Sequence, residues 1–149
     1  MKILQNINPS KIKRQVIGTV ILILIILVIY RIIRKIRDNV KERDTIRKAK
    51  GEINQNDLSF SDYEFKSFAD RIFNAMDGIG TEETAIFHIL KQMKTKSDML
   101  ALIVAFDTRK SKRWYSSFEG NMIAWLQNEL DSYEHNSAAQ IFQKLGIAY

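Results

Sequence analysis

Eighteen consecutive positions near the N-terminus, 16–33, carry a single charge, Arg31, and most of the others are Ile, Leu or Val. A helix of about 17 to 25 apolar residues crosses a hydrocarbon core, and an arginine at its end reaches the headgroups along its own methylene stem. A buried helix of a soluble protein is rarely Ile-rich on every face. A cleaved leader has a shorter apolar core, about 7 to 15 residues, followed by a small-x-small site. Here the run ends instead in Tyr30-Arg31-Ile32-Ile33-Arg34. We read 16–33 as an uncleaved transmembrane helix, short enough to fit a bilayer with little tilt.

Charge divides sharply along the chain. Residues 1–50 hold thirteen Lys and Arg against three acids, whereas 51–149 hold ten against fourteen. The basic balance therefore belongs to the apolar helix and its flanks. Arg31, Arg34, Lys35 and Arg37 stand where they would meet anionic headgroups, each worth about 1 kcal/mol close to the surface. Nucleic acid is excluded as the partner of this charge, because the part that folds is acidic and the basic part adjoins the apolar run. Both flanks are basic; the C-terminal one is the richer, which favours a cytoplasmic C-terminal domain. The absence of cysteine excludes disulfides and thiol chemistry but fits either compartment.

The expected class is all-α. Residues 1–15 read as a basic tail holding Pro9, and 34–58 as a basic helical stalk and linker. A loose stripe of Ile32, Ile33, Ile36, Val40 and Ile46 runs along the stalk, and Gly51 suits its end. Residues 59–149 suffice for one small domain. Ser61 and Glu64 spell a capping box before a first helix with Phe65, Ala69, Ile72, Phe73 and Met76 on one side. A second runs from Glu82 to about Met93, and a third, capped by Thr95 and Asp98, carries Met99, Leu102, Ile103 and Phe106. A polar link over 107–112 leads to a fourth with Phe118, Met122, Trp125, Leu126 and Leu130. A short fifth spans about 137–145, with His135 in the loop before it. No strand or hairpin pattern competes.

Residues 74–84 read Asn-Ala-Met-Asp-Gly-Ile-Gly-Thr-Glu-Glu-Thr. Two glycines two apart leave the backbone unobstructed, so its carbonyls can turn toward a common point. Thr81 can cap the next helix, and Glu82 and Glu83 suit the positive end of its dipole. Five short helices with Gly-x-Gly-Thr between the first two resemble one annexin repeat, over about 61–146. The resemblance implies a calcium ion held by the carbonyls of Met76, Gly78 and Gly80. It also implies a bidentate carboxylate from the fourth helix in a Leu-x-x-Glu-Leu context. Leu126-Gln127-Asn128-Glu129-Leu130 looks like that context and nominates Glu129, and hard oxygens of this kind suit calcium.

The chain departs from the family in three ways. Asp77 stands where a basic residue is often found. The stretch from Thr81 to Glu129 is longer, with the excess around 109–121, so that Glu119 competes as the carboxylate. Finally, one repeat is present where the family usually stacks four. The plainer alternative is a tight interhelix turn with no ion. A lone repeat must also cover surface that its neighbours would bury, which implies a protein partner or self-association. Trp114 and Tyr115 beside Arg113 are the candidate contact surface, and Trp125 is read as core.

Catalysis finds little support. His88 and His135 lie far apart without a metal-ligand motif, and no lysine follows the glycines as a phosphate loop requires. Glu82 and Glu83 are adjacent and so point about 100° apart on a helix rather than facing each other. We therefore expect no small-molecule substrate, and a membrane-anchored, non-enzymatic module for binding or assembly. The alternatives are a calcium-dependent lipid-binding module and a structural component of a virion membrane. The Ile-, Lys- and Asn-rich composition resembles that of proteins from AT-rich bacterial or phage genomes, which keeps the virion in view.

Overall fold

The computed structural model describes residues 9–149, with only the backbone at 9–16, 35, 36, 38, 39 and 41. Residues 1–8 of the basic tail and the side chain of Lys35 therefore lie outside the described residues. The protein is all-α. Its helices are α1 (Pro9–Glu52), α2 (Asp62–Met76), α3 (Glu83–Gln92), α4 (Lys96–Phe106), α5 (Met122–Glu129) and α6 (Ser132–Lys144). A 3-10 turn lies at Gln55–Asp57, and two short strands, β1 (Arg109–Lys110) and β2 (Glu119–Gly120), form a hairpin. The chain divides into two units, one ending at Val40 and one running from Lys41 to Tyr149.

In the first unit α1 is long and apolar enough to cross a membrane. Ile17–Arg34 is an 18-residue window of mean hydropathy 2.5, none of it buried. Arg31, Arg34 and Arg37 at its end are exposed. The helix begins at Pro9, earlier than the tail boundary expected at 15. Proline is well placed at a first helical position, where its missing N–H has no partner to lose.

The second unit is built around α4. Met99, Leu100, Leu102, Ile103 and Phe106 are buried, and both Val104 and Ala105 pack against the core. A helix that is apolar all round must be enclosed, and α2 supplies most of the enclosure with Phe65, Ala69, Ile72, Phe73 and Met76. Trp125 of α5 is fully buried; the rings of Phe73 and Phe118 meet it edge-on at 5.2 and 5.0 Å. Its indole N–H donates to the carbonyl of Arg109 at 2.9 Å, so the polar edge of the ring is satisfied.

The N-terminus of α4 also gathers the preceding chain. Asp98, fully buried, accepts from the backbone N–H of Ser59 at 2.7 Å, Lys94 at 3.0 Å and Thr95 at 3.2 Å. Thr95 completes the capping box and donates its hydroxyl to the carbonyl of Asp57 at 2.9 Å. Ser97 accepts from the N–H of Asn54 at 3.0 Å, and Lys96 pairs with Glu52 at 2.6 Å. The segment expected as a linker is thus held at two backbone positions, Asn54 and Asp57, and by the Glu52 side chain, and Ala49, near the end of α1, is buried in the core.

Three local expectations are corrected. The polar stretch after α4 forms a hairpin, so Phe118 precedes α5 and Leu130 follows it. Helix α6 starts at Ser132 rather than near 137, because Asp131 and Glu134 make a capping box. His135 consequently lies within α6, its Nδ1 3.0 Å from the Tyr149 hydroxyl.

Asp98→Ala would leave three inward-facing N–H groups without an acceptor and should destabilise the protein by about 3 kcal/mol, read from chemical unfolding. Burial pushes the Tyr149 phenol up from 10.0 to about 12. The folded state therefore keeps the neutral phenol where the unfolded chain ionises. The contribution of Tyr149 to stability is whole below pH 10 and declines between about pH 10 and 12. Tyr149→Phe should remove that alkaline decline in a series of melting curves.

Candidate functional site

The most elaborated polar region lies where the loop after α2 meets the hairpin and the end of α5. The loop is closed at its base by the N–H of Glu82 donating to the carbonyl of Ala75 at 3.0 Å. Gly80 sits at φ +83°, a left-handed conformation that side chains resist. Met76, where the loop begins, is fully buried, while Ile79 at the tip is fully exposed. Thr81 does not cap α3. The N-cap is Glu82, without a side-chain hydrogen bond, and the Thr81 hydroxyl faces Glu129 instead, 3.4 Å from its carboxylate and 3.5 Å from its carbonyl.

The hairpin reaches this loop through a strained entry. Asp107, at the end of α4, has φ 55° and ψ −151°, a conformation costing about 1 to 3 kcal/mol outside glycine. It turns the chain away from the helix so that Arg109 pairs with Gly120 and Lys110 with Glu119. The Ser111 N–H continues the ladder to the Phe118 carbonyl at 2.8 Å. Gly120 is required by close approach, since a Cβ there would lie 2.9 Å from that of Ala124. The hairpin rests on aromatic faces: the Arg109 guanidinium lies 4.9 Å from the Phe106 ring centre and pairs with Asp70 at 2.7 Å.

Arg113 joins the three pieces. Its Nη2 donates to Glu129 Oε1 at 2.7 Å, and its Nε lies 3.3 Å from Asp77 Oδ1. Asp77 also accepts from the Ser111 hydroxyl at 2.6 Å and the Lys112 N–H at 2.8 Å. Glu129 also accepts from the Asn128 amide at 2.8 Å. Side-chain exposure of Asp77, Glu129 and Arg113 is 4%, 11% and 17%, so water screens this group far less than a surface pair. Its hydrogen bond to Glu129 holds the Arg113 guanidinium still further above its ordinary value, although burial opposes the shift.

The geometry brings Glu129 to the Gly-x-Gly-Thr loop, but through a hydroxyl and a guanidinium. Glu119 lies on β2, exposed and opposite Lys110, outside the group around Arg113. Both Glu129 oxygens already have donors. At an effective dielectric of about 20, two unit charges about 4 Å apart interact by about 4 kcal/mol, and a divalent ion doubles this. Glu129 is thus already engaged by a cation, the Arg113 guanidinium. Among the described residues no group of three or more His, Asp or Glu gathers to hold a metal.

Trp114 and Tyr115 stand at the hairpin turn, 94% and 59% exposed, with their rings edge-to-face at 5.6 Å. Neither is core, unlike Trp125. No family model matches the chain, and no curated protein or solved structure matches it. Sequence reasoning passed over Asp77, Arg113 and Ser111 as site residues. One signal was available: Asp77 stands directly before the first glycine, and the polar stretch after α4 carries an arginine able to answer it.

A double-mutant cycle over Arg113→Met and Glu129→Gln should give a coupling energy of about 1 to 3 kcal/mol from chemical unfolding. A value near zero would make the pair a solvated contact.

Proposed function

We propose that this chain is a single-pass, non-enzymatic membrane protein that presents a small helical module for contact with a protein partner or a second copy of itself. The helix over 17–34 supplies an anchor by length and composition. Its basic C-terminal end, Arg31 and Arg34, and the flank beyond with Arg37 favour the cytoplasmic side for the module.

The exposed tip of the second unit carries the proposal. Ile79 on one loop and Trp114 and Tyr115 on the other project into solvent. Their two loops meet at Asp77, which binds the hairpin backbone at Lys112. An exposed tryptophan and tyrosine on one loop and an isoleucine on the other, the loops held by a shielded ionic bridge, form a preorganised contact. Such a surface loses little conformational entropy on binding, and aromatic anchors dominate interface energies.

The test places a photo-crosslinking residue at Tyr115 or at Tyr63 in the full-length protein in its membrane. Tyr63 is an exposed tyrosine in the first turn of α2, at the opposite end of that helix from Asp77. A discrete protein adduct is expected from position 115 and not from 63. Equal labelling from both positions, or labelling of lipid alone, would overturn the assignment.

A further inference from the structure

We infer that Arg113 is the resident cation of the Gly-x-Gly-Thr loop, so that the second unit assembles its loop and hairpin without a divalent ion. This inference stands apart from which partner the tip contacts.

Two carboxylates of shielded side chains, Asp77 and Glu129, face one cationic group, which lies 3.3 Å from one and 2.7 Å from the other. Without that cation the two acids would share a poorly hydrated site and repel, so a positive charge there favours the ionised pair. The guanidinium supplies the charge from within the chain, and its planar set of donors serves two partners at once. Its donors do not act alone. The Ser111 hydroxyl and Lys112 N–H complete Asp77, while Asn128 and Thr81 complete Glu129.

The residues that carry this arrangement come together. Arg113, Ser111 and Lys112 all lie in or beside the hairpin, between Thr81 and Glu129. Asp77 precedes the first glycine and gives the hairpin backbone its acceptor. A base at that position would repel Arg113. The acid and the hairpin therefore act as one device, a tethered cation in place of a captured one. Tethering removes the dependence on free ion concentration that a captured ion imposes. The loop then stays formed at any calcium level, and calcium cannot switch it.

Full-length protein in detergent micelles, with and without Arg113→Gln, would be melted in chelator and in millimolar calcium, following the emission of buried Trp125. The wild-type midpoint should agree between the two conditions within about 1 °C. Arg113→Gln should melt lower in chelator and recover with calcium, because the vacated carboxylates can then accept the ion. Adding Glu129→Gln to that variant should abolish the recovery. Arg113→Lys retains a cation and should remain insensitive to calcium, which covers the case in which Arg113→Gln folds poorly in chelator. A calcium-dependent rise in the wild type that Glu129→Gln removes would overturn the inference. Failure of calcium to raise Arg113→Gln would overturn it as well.

Discussion

The buried carboxylate of Asp98 sets the conditions for the second unit. Helix α4 is apolar on all sides and can exist only inside other elements, so the chain before it must be fixed against its N-terminus. Asp98 accepts three backbone N–H groups, from Ser59, Lys94 and Thr95, and so aligns the start of α2 and the link from α3 on one point. Ser97 and Thr95 extend the same anchoring to Asn54 and Asp57. A carboxylate taken out of water is tolerated only when its lone pairs are filled, and backbone donors at a helix N-terminus do this with the favourable end of the dipole. The end of α1 thereby becomes part of the folded unit.

At the other end of α2 the same problem is solved by opposite chemistry. Two acids converge, and backbone donors do not fill them both. A guanidinium reaches between them from the hairpin, which is itself oriented by the strained Asp107 and by Trp125 gripping the carbonyl of Arg109. Shielding makes the bridge strong enough to hold the loops, while the tips beyond it carry apolar side chains outward. The unit thus spends order at its base to present Ile79, Trp114 and Tyr115 at its edge.

Helical periodicity was legible wherever one face repeats. Phe65, Ala69, Ile72 and Phe73 mark α2, and the capping boxes at Ser61 and Thr95 mark helix starts, because these signals operate within one turn. The start of α6 was missed although Asp131 and Glu134 spell the same box, since the apolar positions that draw attention begin only at Ala138. The hairpin gave no alternation to recognise: its strands are two residues long, and what holds them is contact with Phe73, Phe106 and Trp125. Glu129, expected as a metal-ligating carboxylate, stands beside the loop as the partner of Arg113 and Thr81, and Thr81 does not cap α3.

From the sequence alone came the all-α class, the apolar helix with its basic end and the acid-rich second half, because each depends on composition or on residues within a few positions of one another. Tertiary structure decided what stands between Asp77 and Glu129. Those residues lie far apart in the chain, and Arg113 meets both only once α4, the hairpin and α5 have packed around Trp125. A side chain's partner is chosen by three-dimensional proximity and by the loss of competing water, and neither is written in local sequence.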